Sequence, residues 1–160
     1  MDFKQKCAVV IGFEEGKKLE VYKCSKGYLT CGIGHNIEAS PTKPIIGRTV
    51  ATYGTKISES ECSALFNYDL DKVLKDLDKK LPRWAFMDEP TKLYFVTACF
   101  QLGINGLLKF KNTNAAIFAG KRRTAEAMLL ASAWAKQTPN RIKRNAQLIL
   151  GIIPKEYKIS

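Results

Sequence analysis

The chain has 160 residues, a net charge of +11 at pH 7, 46% hydrophobic residues and 26% charged ones, which suits one globular domain or two small lobes sharing a core. No apolar run approaches the roughly 20 residues that span a bilayer, and the run Cys7–Phe13 follows only two lysines with no small-residue cleavage site behind it. Five cysteines without close pairing and a single histidine argue against a disulfide framework and against a zinc site, so no metal or cofactor is expected.

In chain order, Phe3, Cys7, Val10 and Ile11 recur at helical spacing, and Gly12 and Gly16 bracket the helix end, leaving Glu14 and Glu15 just beyond it. Leu19–Lys23 and Tyr28–Ile33 read as strands of a hairpin joined by Cys24-Ser25-Lys26-Gly27. The stretch 39–54 reads as irregular structure with room for one more strand. Ser58-Glu59-Ser60-Glu61 is a capping box, and Cys62, Leu65, Phe66, Leu70, Val73, Leu77 and Leu81 continue at helical spacing until Pro82 ends the helix. Further helices are expected near Pro90 (through Cys99, Phe100 and Gly103), over Asn114–Ala119, over Thr124–Ala135, and after Thr138-Pro139, where threonine suits an N-cap and proline the first turn. The whole reads as α+β, mainly α: a β-containing lobe over 12–58, a connecting helix over 59–81, and a helical lobe over 82–160 with residues 1–11 packed on it.

Seven basic residues stand against the single acid Glu126 between Lys121 and Arg144, a surface suited to nucleic acid, anionic lipid or an acidic bacterial wall. No zinc-finger, RNA-recognition or phosphate-loop motif accompanies it, and the aromatic residues sit at core spacing, which argues against nucleic acid.

Glu15-Gly16, Tyr22 and the run Gly27-Tyr28-Leu29-Thr30-Cys31-Gly32-Ile33-Gly34-His35 resemble the catalytic signature of T-even-type phage lysozymes. Phe100-Gln101-Leu102-Gly103, and Gln137-Thr138-Pro139-Asn140-Arg141 with Trp134 upstream, are similar to that family's helical segments in the same order. The resemblance implies a two-lobed fold with a cleft. Its substrate would be the β-1,4 link between N-acetylmuramic acid and N-acetylglucosamine in peptidoglycan glycan strands. It also implies a bacteriolytic, monomeric enzyme held in the host cytoplasm until a holin releases it, and then acting on the wall in the periplasm. A lysozyme fold that lyses by cationic wall binding alone is the competing reading.

Glycoside hydrolysis needs an acid for the leaving oxygen and a base or nucleophile opposite. By resemblance Glu15 is the general acid, and Thr30 is the hydroxyl that holds the attacking water. Cys24 is the departure. In the family pattern eight residues separate the glutamate from an aspartate and five separate that aspartate from the threonine. Here those intervals land on Cys24, and no aspartate occurs between Asp2 and Asp69. Free cysteines are usually buried small hydrophobes, but this one stands in a polar turn between Lys23 and Lys26. Its thiolate could act as base on a water, giving inversion, or attack the anomeric carbon, giving retention through a thioglycosyl intermediate. The resemblance further implies that His35 pairs with Asp69, that Arg141 and Arg144 reach toward Glu15 and Glu14, and that Gly34, Phe100, Gln101 and Thr138 contact substrate.

Overall fold

The computed structural model describes residues 1–159. The chain divides into two compact units: Ile11–Lys72, and Met1–Val10 together with the chain from Val73 onward. It is mainly helical with one small antiparallel sheet.

Helix α1 runs over Phe3–Glu15, so Glu14 and Glu15 belong to its last turn and do not lie beyond it as the sequence suggested. Gly12 is tolerated inside the helix at a cost of about 1 kcal/mol and even accepts a hydrogen bond from Gly16 N–H at 3.0 Å. The helix ends at Gly16, whose φ of +73° a side chain would disfavour.

Strands β1 (Lys18–Lys23), β2 (Leu29–Gly32) and β3 (His35–Asn36) form the sheet in the order β1-β2-β3. Tyr22 pairs with Thr30 and Lys23 with Leu29 across the hairpin, and Thr30 pairs with Asn36 and Cys31 with His35 on the other side. Strand alternation sends Val21 and Cys31 into a core with Ile37, Val50, Ile57, Cys62 and Leu65. The stretch 39–54 contains no strand. Pro44 sits in the first turn of a short helix α2 (Lys43–Ile46), and the Thr42 hydroxyl donates to Arg48 O and accepts from Val50 N–H, each at 2.8 Å. The added pairing comes just later, where Lys56 bridges Glu20.

Helix α3 spans Glu59–Lys80 and opens with the expected reciprocal cap: Glu61 N–H donates to Ser58 Oγ at 3.1 Å, and Ser58 N–H donates to Glu61 Oε1 at 2.9 Å. Arg48 grips the same carboxylate at 2.6 and 2.9 Å, and chiefly for that reason Glu61 is lowered to about 2.

In the second unit a 3-10 helix (Pro82–Phe86) leads to α4 (Glu89–Leu108), which breaks at Gly103, where φ is 71°. Helices α5 (Lys111–Phe118), α6 (Arg122–Leu130), α7 (Ala133–Gln137) and α8 (Pro139–Ile149) follow. The single helix expected over Thr124–Ala135 is two. Ser132 donates to Leu129 O at 2.6 Å and accepts from Ala135 N–H at 3.3 Å, closing α6 and capping α7. Thr138 stands at the N-cap position of α8 but does not cap it, because its hydroxyl turns back to Trp134 O at 3.4 Å. Tyr94, Phe95, Leu107, Ile117, Leu129, Ile142 and Leu148 are fully buried here, with Phe95 stacked on Phe118 at 5.2 Å. Among the described residues no single helix is long and apolar enough to cross a membrane; the pair α4–α5 that matches in composition bends by 108°.

The capping box gives a direct test of how α3 is anchored. Ser58→Ala is expected to lower stability by about 1 kcal/mol in urea unfolding, and an unchanged midpoint would contradict the capping role.

Candidate active site

Glu15, Cys24, Thr30, Gly34, His35 and Asp69 all lie in the unit Ile11–Lys72. Glu15 is the last residue of α1, so its side chain leaves a rigid support at the point where the backbone turns away. Gly34 packs directly against it: a Cβ built there would stand 3.2 Å from the Cβ, Cγ and Oε2 of Glu15, and its φ is +65°. Glycine at 34 is therefore needed both for the backbone turn and for the space that Glu15 occupies.

Cys24 opens the turn between β1 and β2. Its N–H donates to Tyr28 O at 2.9 Å, and its carbonyl accepts from Gly27 N–H at 2.8 Å. Thr30 is 4% exposed and its hydroxyl donates to the same Tyr28 O at 2.9 Å. One carbonyl thus ties the backbone of Cys24 to the side chain of Thr30.

The cysteines fall into different electrostatic classes. Burial pushes Cys7 up to about 12 and Cys31 up to about 11, and it raises Cys62 as well. Cys24 is partly exposed and moves the other way. What burial it has acts to raise it, but hydrogen bonds from the backbone at Lys26, Tyr28 and Gly27 and from the Thr30 hydroxyl outweigh that and hold the thiol below its ordinary value. Tyr22, directly across from Thr30, is raised by burial first and then by the charges of Glu15, Cys24 and Cys31. Glu15 and Cys24 therefore both lie within electrostatic reach of one phenol. The sequence motif contains Tyr22, but nothing local announces that its phenol feels both groups.

His35 is buried, with Nδ1 2.7 Å from Asp69 Oδ2 and Nε2 2.8 Å from Ser40 O. A carboxylate and a carbonyl only accept, so both ring nitrogens must donate and the imidazolium is the form that satisfies the site. Burial acts to lower His35, but the Asp69 hydrogen bond and charge and the Ser40 carbonyl prevail and raise it.

The remaining sequence candidates, Phe100, Gln101, Thr138, Arg141 and Arg144, belong to the other unit. There Arg141 is 7% exposed and donates to Thr97 O at 3.2 Å and Thr97 Oγ1 at 3.0 Å, linking α8 to α4. Gln101 keeps Oε1 buried without a hydrogen-bond partner among the described residues. Phe100 precedes it on α4, and Arg144 follows Arg141 on α8.

Comparison with known proteins places this geometry in a family context. The family described as Phage lysozyme matches residues 13–147, a range that holds every candidate residue named above. Two proteins of Dictyostelium discoideum, probable T4-type lysozyme 1 and probable T4-type lysozyme 2, are each 31% identical to this chain. The first aligns over 88% of this chain and 91% of its own length, the second over 93% and 96%. The pre-baseplate central spike protein Gp5 of Enterobacteria phage T4 is 29% identical over 86% of this chain, which spans 26% of Gp5.

Two measurements follow from the site's electrostatics. Limiting iodoacetamide at neutral pH is expected to label Cys24 ahead of Cys7 and Cys31 in peptide mass mapping; equal labelling would contradict the assigned thiol environments. For His35 the raised value means that its pairing stabilises the fold fully below the ordinary histidine value of about 6.5, and that this contribution is lost as pH rises through the folded-state value. Asp69→Asn is thus expected to cost about 1.5–3 kcal/mol at pH 5–6, with the gap from wild type narrowing at higher pH. A gap in melting temperature independent of pH would contradict it.

Proposed function

The chain belongs to the phage lysozyme family, whose members are glycoside hydrolases, and from that premise we propose that it is a bacteriolytic endolysin cutting the β-1,4 bond between N-acetylmuramic acid and N-acetylglucosamine in peptidoglycan. The single observation that carries the catalytic reading is Cys24. It is partly exposed, its thiol is held below the ordinary value, and Thr30 is tied to it through one carbonyl in the unit that also carries Glu15.

In this reading Glu15 gives its proton to the leaving glycosidic oxygen as the bond from that oxygen to the anomeric carbon breaks. The only proton on the Thr30 hydroxyl goes to Tyr28 O or, once Cys24 ionises, to its sulfur, and in either case Thr30 meets a water as an acceptor. A water that donates one proton to Thr30 Oγ1 and the other to the Cys24 thiolate keeps a lone pair for the anomeric carbon. Cys24 takes the second proton as the new C–O bond forms. Water attack from the face opposite the leaving group gives inversion. Direct attack by sulfur would instead give retention, and the anomer of the product distinguishes the two.

The net charge of +11 serves retention on an acidic wall. The protein would act as a monomer, stay in the host cytoplasm until a holin opens the membrane, and then reach the wall in the periplasm.

Reducing-end release and lysis of permeabilised bacteria test the assignment together. Glu15→Gln and Cys24→Ser are each expected to lower reducing-end release by about 10²–10⁴-fold, whereas Cys24→Asp keeps the enzyme active. Full activity in Cys24→Ser would remove Cys24 from the mechanism. Undiminished lysis by Glu15→Gln would show that charge, not glycan cleavage, does the killing.

A further inference from the structure

Residues directly opposed across an antiparallel pair place their side chains on the same face. Tyr22, Thr30 and Asn36, paired in turn across β1, β2 and β3, therefore form one row on the side away from the core that takes Val21 and Cys31. Lys18, the exposed first residue of β1, holds its ammonium 4.6 Å from the centre of the Tyr22 ring. The phenol of that ring is raised by burial first and then by the charges of Glu15 and Cys24, so both groups lie within electrostatic reach of it.

The charge of Lys18 is not spent inside the protein. Lys6 and Lys17 are ion-paired with Glu89 and Glu59, but no carboxylate among the described residues pairs with Lys18, not even Glu20 two residues along the same strand. The ring attracts the ammonium through its π face and restrains its direction. It uses none of the three N–H donors in a conventional hydrogen bond, and these are left for a second, anionic partner.

We propose, resting on the glycosidase reading above, that Lys18 held by the Tyr22 ring binds a carboxylate of the peptide stem and so makes the enzyme prefer glycan that carries stems. The bond broken in that reading is at the anomeric carbon of N-acetylmuramic acid, and the same sugar ring bears the lactyl ether from which the stem grows. A stem rooted on the ring that meets Thr30 and Cys24 starts beside the sheet face over which the Lys18 side chain extends. The stem carries free carboxylates. A lysine ammonium on its flexible chain meets them as a point charge, without demanding the one geometry that a guanidinium fork requires. Lys18 touches no reacting atom, so it acts on which strands are held and not on how the bond breaks.

The test is calorimetric titration of the intact protein, at low and constant ionic strength, with a disaccharide that has no bond left to cut. That probe is N-acetylglucosaminyl-N-acetylmuramic acid bearing a tetrapeptide stem, compared with the same compound after its carboxylates are converted to amides. Wild type is expected to bind the carboxylate form about fivefold tighter than the amide form. Lys18→Arg should keep that preference and Lys18→Gln should lose it. Tyr22→Phe retains the ring face and should retain the preference, whereas Tyr22→Leu should reduce it. Lys18 is exposed at the start of β1, so Lys18→Gln is expected to fold. Because the probe is not cleaved, failure to release reducing ends from whole glycan would count against the glycosidase reading and leave this result standing. Equal binding of the two forms by wild type, a preference that survives Lys18→Gln, or no binding of either form would overturn the proposal.

Discussion

The carbonyl of Tyr28 takes two hydrogen bonds, from the backbone of Cys24 and from the hydroxyl of Thr30, each at 2.9 Å. The candidate catalytic chemistry depends on that shared acceptor. It closes the turn around Cys24, with Gly27 supplying the positive φ of 83° that lets its own N–H reach back to Cys24 O. It brings the amides of the turn to the sulfur, and these stabilise a thiolate more than partial burial disfavours it. It also draws the only proton on Thr30 toward itself or the neighbouring sulfur, leaving that hydroxyl an acceptor toward a water.

In the surrounding unit α3 contributes Cys62 and Leu65 to the core that takes Val21 and Cys31 from the hairpin. Strand alternation sends Cys31, the neighbour of Thr30, into the core, where burial makes it an inert thiol, while Thr30 stays beside Cys24. The first turn of α3 is anchored by the Ser58–Glu61 cap and by Arg48, and its third turn offers Asp69 to His35 at the end of the sheet. Glu15 reaches the same unit from α1, and the missing side chain of Gly34 leaves room for it. The same thiol group thus serves as core filler at Cys7, Cys31 and Cys62 and stands partly exposed with a lowered pKa at Cys24, where we propose that it reacts.

Features set by a few consecutive residues were legible in the amino-acid order: the hairpin around Cys24-Ser25-Lys26-Gly27, the capping box at Ser58 and the long apolar stripe of α3 all announce themselves locally. Features that turn on competition between neighbours were not. Gly12 looks like a helix end but is carried through, because the helix continues on both sides of it. Ser132 divides one apparent helix into two by bonding in both directions, and Thr138 has the chemistry of a cap but spends its hydroxyl on Trp134 O. In the site, residue types were legible from motif spacing. The close packing of Gly34 on Glu15, the hydrogen bond from Thr30 to Tyr28 O and the influence of both Glu15 and Cys24 on the Tyr22 phenol arise from contacts between separate elements, which no local pattern encodes.

The most direct measurement of the central claim, that the Cys24 thiolate takes part in bond cleavage, is the pH dependence of kcat/KM for wild type and Cys24→Asp on a soluble glycan substrate. A thiol titrates near 8.5 when unperturbed and an aspartate near 3.9, so exchanging one for the other at a group that must ionise moves one limb of the profile. The expected result is a limb displaced to lower pH by more than about two units in Cys24→Asp, with the other limb retained. Superimposable profiles would contradict a catalytic role for Cys24.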